Sequence, residues 1–199
     1  MRRDIEKSIG DTDVARDGSD PRKSASLSCW MTNGSVGATG AFATGDGTNA
    51  YTAGTARALT LAMIEDAQQD AWEAGGNPRL MISSATNRAN FSDLSATGNL
   101  VSNDVNMTKA KEVTYVGSTS VFLGDFGTVE AVPSRFMSND RAFLIDPDYV
   151  SIATLNGRNF LEEELAKDGD AQTSHLVIEW ALKPTAPKAH AAILDLNGS

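Results

Sequence analysis

The chain is poor in the residues that do chemistry. It has one cysteine, Cys29, and two histidines, His175 and His190. A single cysteine excludes an internal disulfide framework and fits a reducing compartment. Two histidines and one cysteine, scattered along the sequence, cannot build a structural zinc site within one chain. No apolar run approaches the length that spans a bilayer, so no membrane partner is expected. The opening MRRDIEKSIGD has two arginines with no apolar stretch after them, which does not read as a secretory signal. The four Asn-x-Ser/Thr matches, at Asn33, Asn90, Asn106 and Asn197, then carry little meaning. Basic residues are in deficit as well: the formal net charge is −9. That argues against a surface built to grip nucleic acid, and it discourages sticking to other polyanions.

What the sequence does have is enough apolar residue for a core. Of 199 residues, 41% are hydrophobic and 22% charged, which suits one ordered domain. The densest structural signal lies in residues 124–150. A Gly-Asp turn opens it, residues 128–132 are β-prone, and Pro133 ends them because it lacks an amide N–H. After a polar loop over 134–141, residues 142–145 are continuously apolar and stop at Asp146-Pro147-Asp148. Such a run suggests a strand buried on both faces, in the middle of a sheet.

Residues 2–9 read as the end of a helix, with Ile5 and Ile9 on one face, too short to be stable alone. Residues 10–26 read as linker, and 27–31, around Cys29 and Trp30, as an apolar anchor. Residues 33–54 are rich in glycine, and only Val36, Phe42 and Tyr51 offer burial, so a flexible loop is expected there. Residues 60–74 read as a helix capped by Thr60, with Leu61, Ile64, Gln68, Ala71 and Trp72 on its buried stripe and Gly75-Gly76 as its stop. A buried strand over 80–83 and a short helix over 85–94, capped by Ser84 or Thr86, follow. Residues 95–106 read as loop, and 112–116 with 120–123 as a hairpin around Gly117-Ser118. Residues 151–155 extend the strand at Tyr149-Val150, 161–170 read as a turn of helix or a loop, and 176–182 and 189–196 read as strands.

No catalytic constellation emerges. Each histidine sits on an expected strand and no G-x-S-x-G elbow is present, so a nucleophilic triad has no base in reach. Asp46-Gly47-Thr48-Asn49 lacks the spaced acids of a calcium loop. Gly34, Gly37 and Gly40 do not form the dinucleotide fingerprint. The carboxylates Asp146, Asp148, Glu162, Glu163 and Glu164 could serve an acid-dependent hydrolase; a strand-ending turn and a solvated helix face are the plainer readings. Arg57, Arg79, Arg88, Arg135, Arg141 and Arg158 are dispersed singly, as subunit salt bridges or solubility would have them. The sequence thus assigns no catalytic, cofactor-binding or metal residue. A stand-alone binding module, with residues 35–53 as its contact surface, is the other reading.

Asp125-Phe126-Gly127-Thr128-Val129, Val132-Pro133-Ser134-Arg135-Phe136-Met137 and Asp146-Pro147-Asp148-Tyr149 resemble a family of tailed-phage major capsid proteins. So do Ala71-Trp72-Glu73-Ala74-Gly75-Gly76-Asn77-Pro78, Leu165-Ala166-Lys167-Asp168-Gly169-Asp170, the closing Glu179-Trp180, and His190-Ala191. Arg3-Asp4-Ile5-Glu6 resembles the tail of that family's spine helix. The resemblance implies an α+β chain of the Hong Kong 97-like shell fold and a structural subunit of a phage head that assembles with its own copies, as hexamers and pentamers, in the bacterial host cytoplasm. It implies an end of spine helix and linker in 1–32, a glycine-rich loop in 33–54, an axial-domain-like core in 55–155 and strands returning to the peripheral domain in 156–199. Against that pattern, the N-terminal arm, the extended loop and most of the spine helix are absent, so a truncated or cleaved copy is expected. Arg158-Asn159-Phe160 stands where the family tends to have Arg-Pro-Phe, with Asn156-Gly157 looking inserted.

Overall fold

The computed structural model describes residues 2–19, 22–97, 121–166, 169–170 and 173–198. Its centre is β5 (Arg141–Ile145), in which every residue is buried. The apolar run reaches both faces of a sheet: Ala142 and Leu144 enter one core cluster, Phe143 and Ile145 the other. β5 lies between β10 (Ala191–Leu194) and β2 (Leu80–Ser83), antiparallel to both. β4 (Gly127–Pro133) runs parallel to β2 and carries β3 (Val121–Gly124) as an antiparallel hairpin, and β1 (Gly34–Ser35) lies parallel to β10. The six-stranded order is β1-β10-β5-β2-β4-β3. The sheet is mixed and the fold α+β. β4 and β5 are therefore not neighbours, although a short connection joins them; β2 is inserted between them.

The first face of the sheet is covered by two helices. α2 (Leu61–Glu73) buries Ile64, Ala67, Gln68 and Ala71. It ends as the glycine pair demands: Gly75, at φ +89, donates to the Trp72 carbonyl (2.9 Å) and Gly76 to the Ala71 carbonyl (2.9 Å), a Schellman closure. Gly76 also lies against the chain, because a Cβ there would stand 2.3 Å from the Ala189 carbonyl oxygen. Thr60 precedes the helix in extended conformation but makes no side-chain cap. Trp72 departs from the expected stripe: it is 55% exposed and packs on Phe126 instead, ring centroids 5.5 Å apart. α3 (Ala85–Thr97) is longer than expected, and Ser84 caps it by accepting the Asn87 N–H (3.3 Å). Asn87 is fully buried and donates to the carbonyls of Asn139 (2.9 Å) and Arg141 (3.3 Å), which ties α3 to the start of β5. Residues 112–116, the first strand of the expected hairpin, and most of the loop expected over 95–106 lie outside the described residues; its second strand, expected over 120–123, falls in β3, which forms its hairpin with β4.

The other face is covered by irregular chain. A 3-10 turn at Leu27–Trp30 buries Leu27, Ser28 and Cys29, as an anchor should. Residues 33–54, expected as a flexible loop, are drawn against the sheet. They contribute β1, and Val36, Phe42 and Tyr51 pack on the second core. Glycine permits the approach: a Cβ on Gly37 would meet the Thr55 carbonyl oxygen at 2.3 Å. α1 (Arg2–Gly10) is held by a neighbour in the chain, residues 134–137. Ser134 Oγ donates to Glu6 (3.1 Å), the Arg3 guanidinium sits 5.4 Å from the Phe136 ring centre, and Ile9 and Met137 join the second core.

Residues 10–26 carry more than a linker does. Asp13 reaches Arg141, which is only 2% exposed. Both terminal guanidinium nitrogens donate to Asp13 (2.6 and 2.8 Å), and Nε and one terminal nitrogen donate to Asp140 (2.7 Å each). Ser28 Oγ donates to the same Asp13 carboxylate (2.6 Å). Arg141 is thus an internal tie, not a surface or intersubunit charge.

From Val150 the chain leaves the sheet as a two-stranded ribbon. β6 (Val150–Thr154) pairs with β9 (Trp180–Pro184), and β7 (Leu161–Glu164) with β8 (Ser174–Val177), both antiparallel. Two sequence expectations change here. The acidic run is a strand, not a turn of helix, because Leu176 and His175 stand opposite Glu162 and Glu163 and supply it with a ladder. Residues 176–182 are not one strand: Ile178 and Glu179 interrupt them. Thr154 pairs with Trp180 and Leu161 with Val177, so six residues (155–160) face two (178 and 179). The extra chain holds Asn156-Gly157, with Gly157 at φ +79 and Phe160 at φ +50. The extra residues fold into a turn, with the Arg158 N–H donated to the Leu155 carbonyl (2.9 Å), and they interrupt the ladder between the two strand pairs.

Candidate interaction surface

The groups that could have made an active site do not converge. His190 is fully buried and its Nδ1 accepts the Asp146 N–H (3.1 Å). Asp146 is itself buried, and its carboxylate accepts the amides of Asn77 (2.9 Å) and Asp148 (3.1 Å), so it fastens the turn at Pro147–Tyr149. Asp148 pairs with Arg79 in the open (2.8 Å). His175 lies on the ribbon, in the β7–β8 pair, beside Glu163, 3.3 Å away. Cys29 is buried beside Ser26 Oγ (3.4 Å) with no histidine among its hydrogen-bond partners. Asp46 accepts from the Thr44 and Thr48 hydroxyls (2.6 Å each) and from the Thr48 amide, and those bonds hold its carboxyl well below the usual range. It is a loop brace. Among the described residues no group of three or more His, Cys, Asp or Glu side chains could hold a metal ion, and no helix is long and apolar enough to cross a membrane.

Five of the six dispersed arginines, all but Arg135, have partners inside the chain among the described residues. Arg57 donates to Ser35 (2.9 Å), Arg88 to the Ala131 carbonyl (3.1 Å), and Arg158 pairs with Glu179 across the ribbon. Sequence spacing could not reveal these partners, because all of them lie twenty or more residues away.

His190 makes a measurable contribution. Burial pushes its pKa below the ordinary 6.5, and the nearby Asp146 charge opposes this only in part. A group depressed in the fold stabilises it above the unfolded value, and that contribution is lost as pH falls through the folded value. Stability is therefore expected to drop between pH 7.5 and 5.5, at most by about 1.4 kcal/mol per pH unit from this group. His190→Asn keeps an acceptor for the Asp146 amide and removes the proton. Urea melts at both pH values check it: an unchanged slope in the variant would assign the acid sensitivity elsewhere.

What the molecule does present is unburied apolar surface on the ribbon. Ile152, Leu155, Phe160, Leu165 and Leu176 are between 39% and 54% exposed. Among the described strands, none pairs with the outer edge of β7 or β8. At its base the ribbon is anchored by Leu182, Val150 and Trp180, which join the second core. A two-stranded ribbon with bare apolar faces is marginal in water by itself, and surface of this kind marks a site of contact. Sequence reading missed it because the acidic run masks the strand.

No curated protein matches the chain. Among solved structures it is similar to a chain of the cyanophage A-1(L) capsid asymmetric unit, at 17% identity and a TM-score of 0.44, over 72% of this chain and 49% of that one. It thus spans about half the length of that relative. The family model for the SU10 major capsid protein matches residues 1–197. With nearly every residue inside that match, the chain belongs to the SU10 major capsid protein family.

Proposed function

We propose that this protein is a structural subunit of a tailed-bacteriophage head, which self-associates into the icosahedral or prolate shell enclosing the genome. The observation that carries the reading is the family match over residues 1–197. The fold is of the Hong Kong 97 type. Residues 55–155, with most of the sheet and α2 and α3, form an axial-domain core, and residues 33–54 strap it. Residues 1–32 and the ribbon strands within 156–199 form part of a peripheral domain, while the last strand, β10, returns to the central sheet beside β5. The partners are copies of the same chain, grouped as hexamers and pentamers, with other head proteins beside them; the place is the virion capsid, after assembly in the host cytoplasm.

Physical chemistry supports this. Shells close through many modest interfaces related by rotation, and the ribbon offers such an interface. An acidic subunit repels the packaged DNA and does not cling to it. The detached-module reading loses its contact surface, since residues 35–53 include part of β1 and residues packed on the core. Sedimentation velocity and negative-stain microscopy of the full-length gene product should find rings, shells or their pieces. A product that stays monomeric at the highest soluble concentration would overturn the assignment.

A further inference from the structure

A strand-sized slot lies beside the base of the ribbon. The Leu182 N–H is donated not to β6 but to Ser24 Oγ (3.1 Å). Leu155 N–H and the Arg158 carbonyl both bond Glu179, so residue 179 faces the paired strand. Main-chain groups alternate along an antiparallel strand, which turns those of Ile178 and Trp180 outward. Among the described residues no main-chain partner meets them. They face a groove of about 780 Å³ between the ribbon and residues 8–17 and 22–24, floored by Ile178 and Trp180, which continues under α1 past Ile5. Arg22 and Lys23 stand exposed on its rim and have no ion pair among the described residues. Of the rim's acids, Glu179 is taken by Arg158, and Asp17, bridged main chain to main chain with Lys23 and within reach of its charge, accepts the Ser19 amide (2.9 Å).

The geometry points to β7 of a second copy as the occupant of this groove, added as a strand against Ile178 and Trp180. This rests on the reading of the chain as a self-associating subunit. Leu165 N–H bonds the Thr173 carbonyl, so the same alternation turns the main-chain groups of Glu162 and Glu164 to the free edge of β7. Two outward residues on the slot thus meet two on the strand. All three glutamates of β7 are exposed, and Leu165, 46% exposed, supplies an apolar group for Trp180. Acidic side chains on an edge strand prevent it from pairing with its own kind. They do not prevent pairing with a slot that carries Arg22 and Lys23 on its rim, so the charges select the partner. Donor strand and acceptor groove are different surfaces of one chain. The contact is head-to-tail, and its repetition gives a ring or an open array.

Charge exchange tests this. R22E/K23E and E162K/E164K, each in the full chain, should fold with unchanged circular dichroism and associate at least about tenfold more weakly than wild type in sedimentation. Mixing the two variants, or combining all four substitutions in one chain, should restore association. Both variants assembling like wild type, or no restoration on mixing and combining, would overturn the β7–groove contact while leaving the shell-subunit reading intact. A wild-type chain that never associates would overturn both.

Discussion

Replacing Arg141 by alanine is expected to destabilise the fold by about 3–5 kcal/mol, the usual cost of removing one partner from a buried ion pair. The guanidinium is the shared partner of Asp13 and Asp140, and its side chain is 3% exposed. Its loss leaves two neighbouring carboxylates facing each other at the start of β5, and it removes the cation stacked 5.7 Å from the Tyr51 ring centre. Lysine should recover only part of the loss, since an ammonium cannot serve two carboxylates as a fork does. Equilibrium denaturation of wild type, R141A, D13A and the double variant closes a cycle. A coupling below about 0.5 kcal/mol, the level at which independent sites add, would show that the linker is not tied through this pair. Acid should mimic the variant. Burial pushes the Asp140 carboxyl up, but the bonds and charge of Arg141 outweigh it and hold the group below its ordinary 3.8. A carboxyl so depressed stabilises the fold above its unfolded value and loses that contribution as pH falls through the folded one. R141A should therefore lack this part of the wild-type acid transition.

The elements legible in the sequence are those whose local pattern and tertiary fate agree. The run at 142–145 has no polar residue to point at water, so it could only be a central strand, and it is. The 60–74 helix carried its own period and its own glycine stop. The readings that failed did so where a distant partner decides. Glu162, Glu163 and Glu164 suit a solvated helix face until a strand from residues 174–177 lies beside them. Trp72 fits the buried stripe by spacing, but α2 turns it out onto Phe126. Arg141 looked like one of several scattered cations, and only the return of residue 13 to β5 made it a buried tie. The interaction surface was illegible for the same reason: a ribbon exists only once residues 150–164 and 174–184 meet, and no local signal announces that they do.

Substituting threonine for Ile152, Leu155 and Leu176 together is expected to separate assembly from folding. All three side chains are about half exposed in the single chain. Their removal takes little from the monomer, within about 0.5 kcal/mol at each site as for surface substitutions generally, and threonine keeps the strand preference. On association the exposed half of each would leave water. At about 25 cal/mol per Å² of apolar area that is on the order of 1 kcal/mol per side chain. Three such losses weaken each contact by about 3 kcal/mol, on the order of a hundredfold. An assembly closed by many identical contacts compounds the factor, so shells should disappear at concentrations where wild type forms them. Thermal melts and sedimentation of the same preparations read the two effects apart. A melt shifted down by more than about 8 °C would mean that these groups hold the ribbon in the monomer. Unaltered assembly would mean that the ribbon's apolar faces stay in water in the finished particle, and the contacts would then have to be sought elsewhere on the subunit.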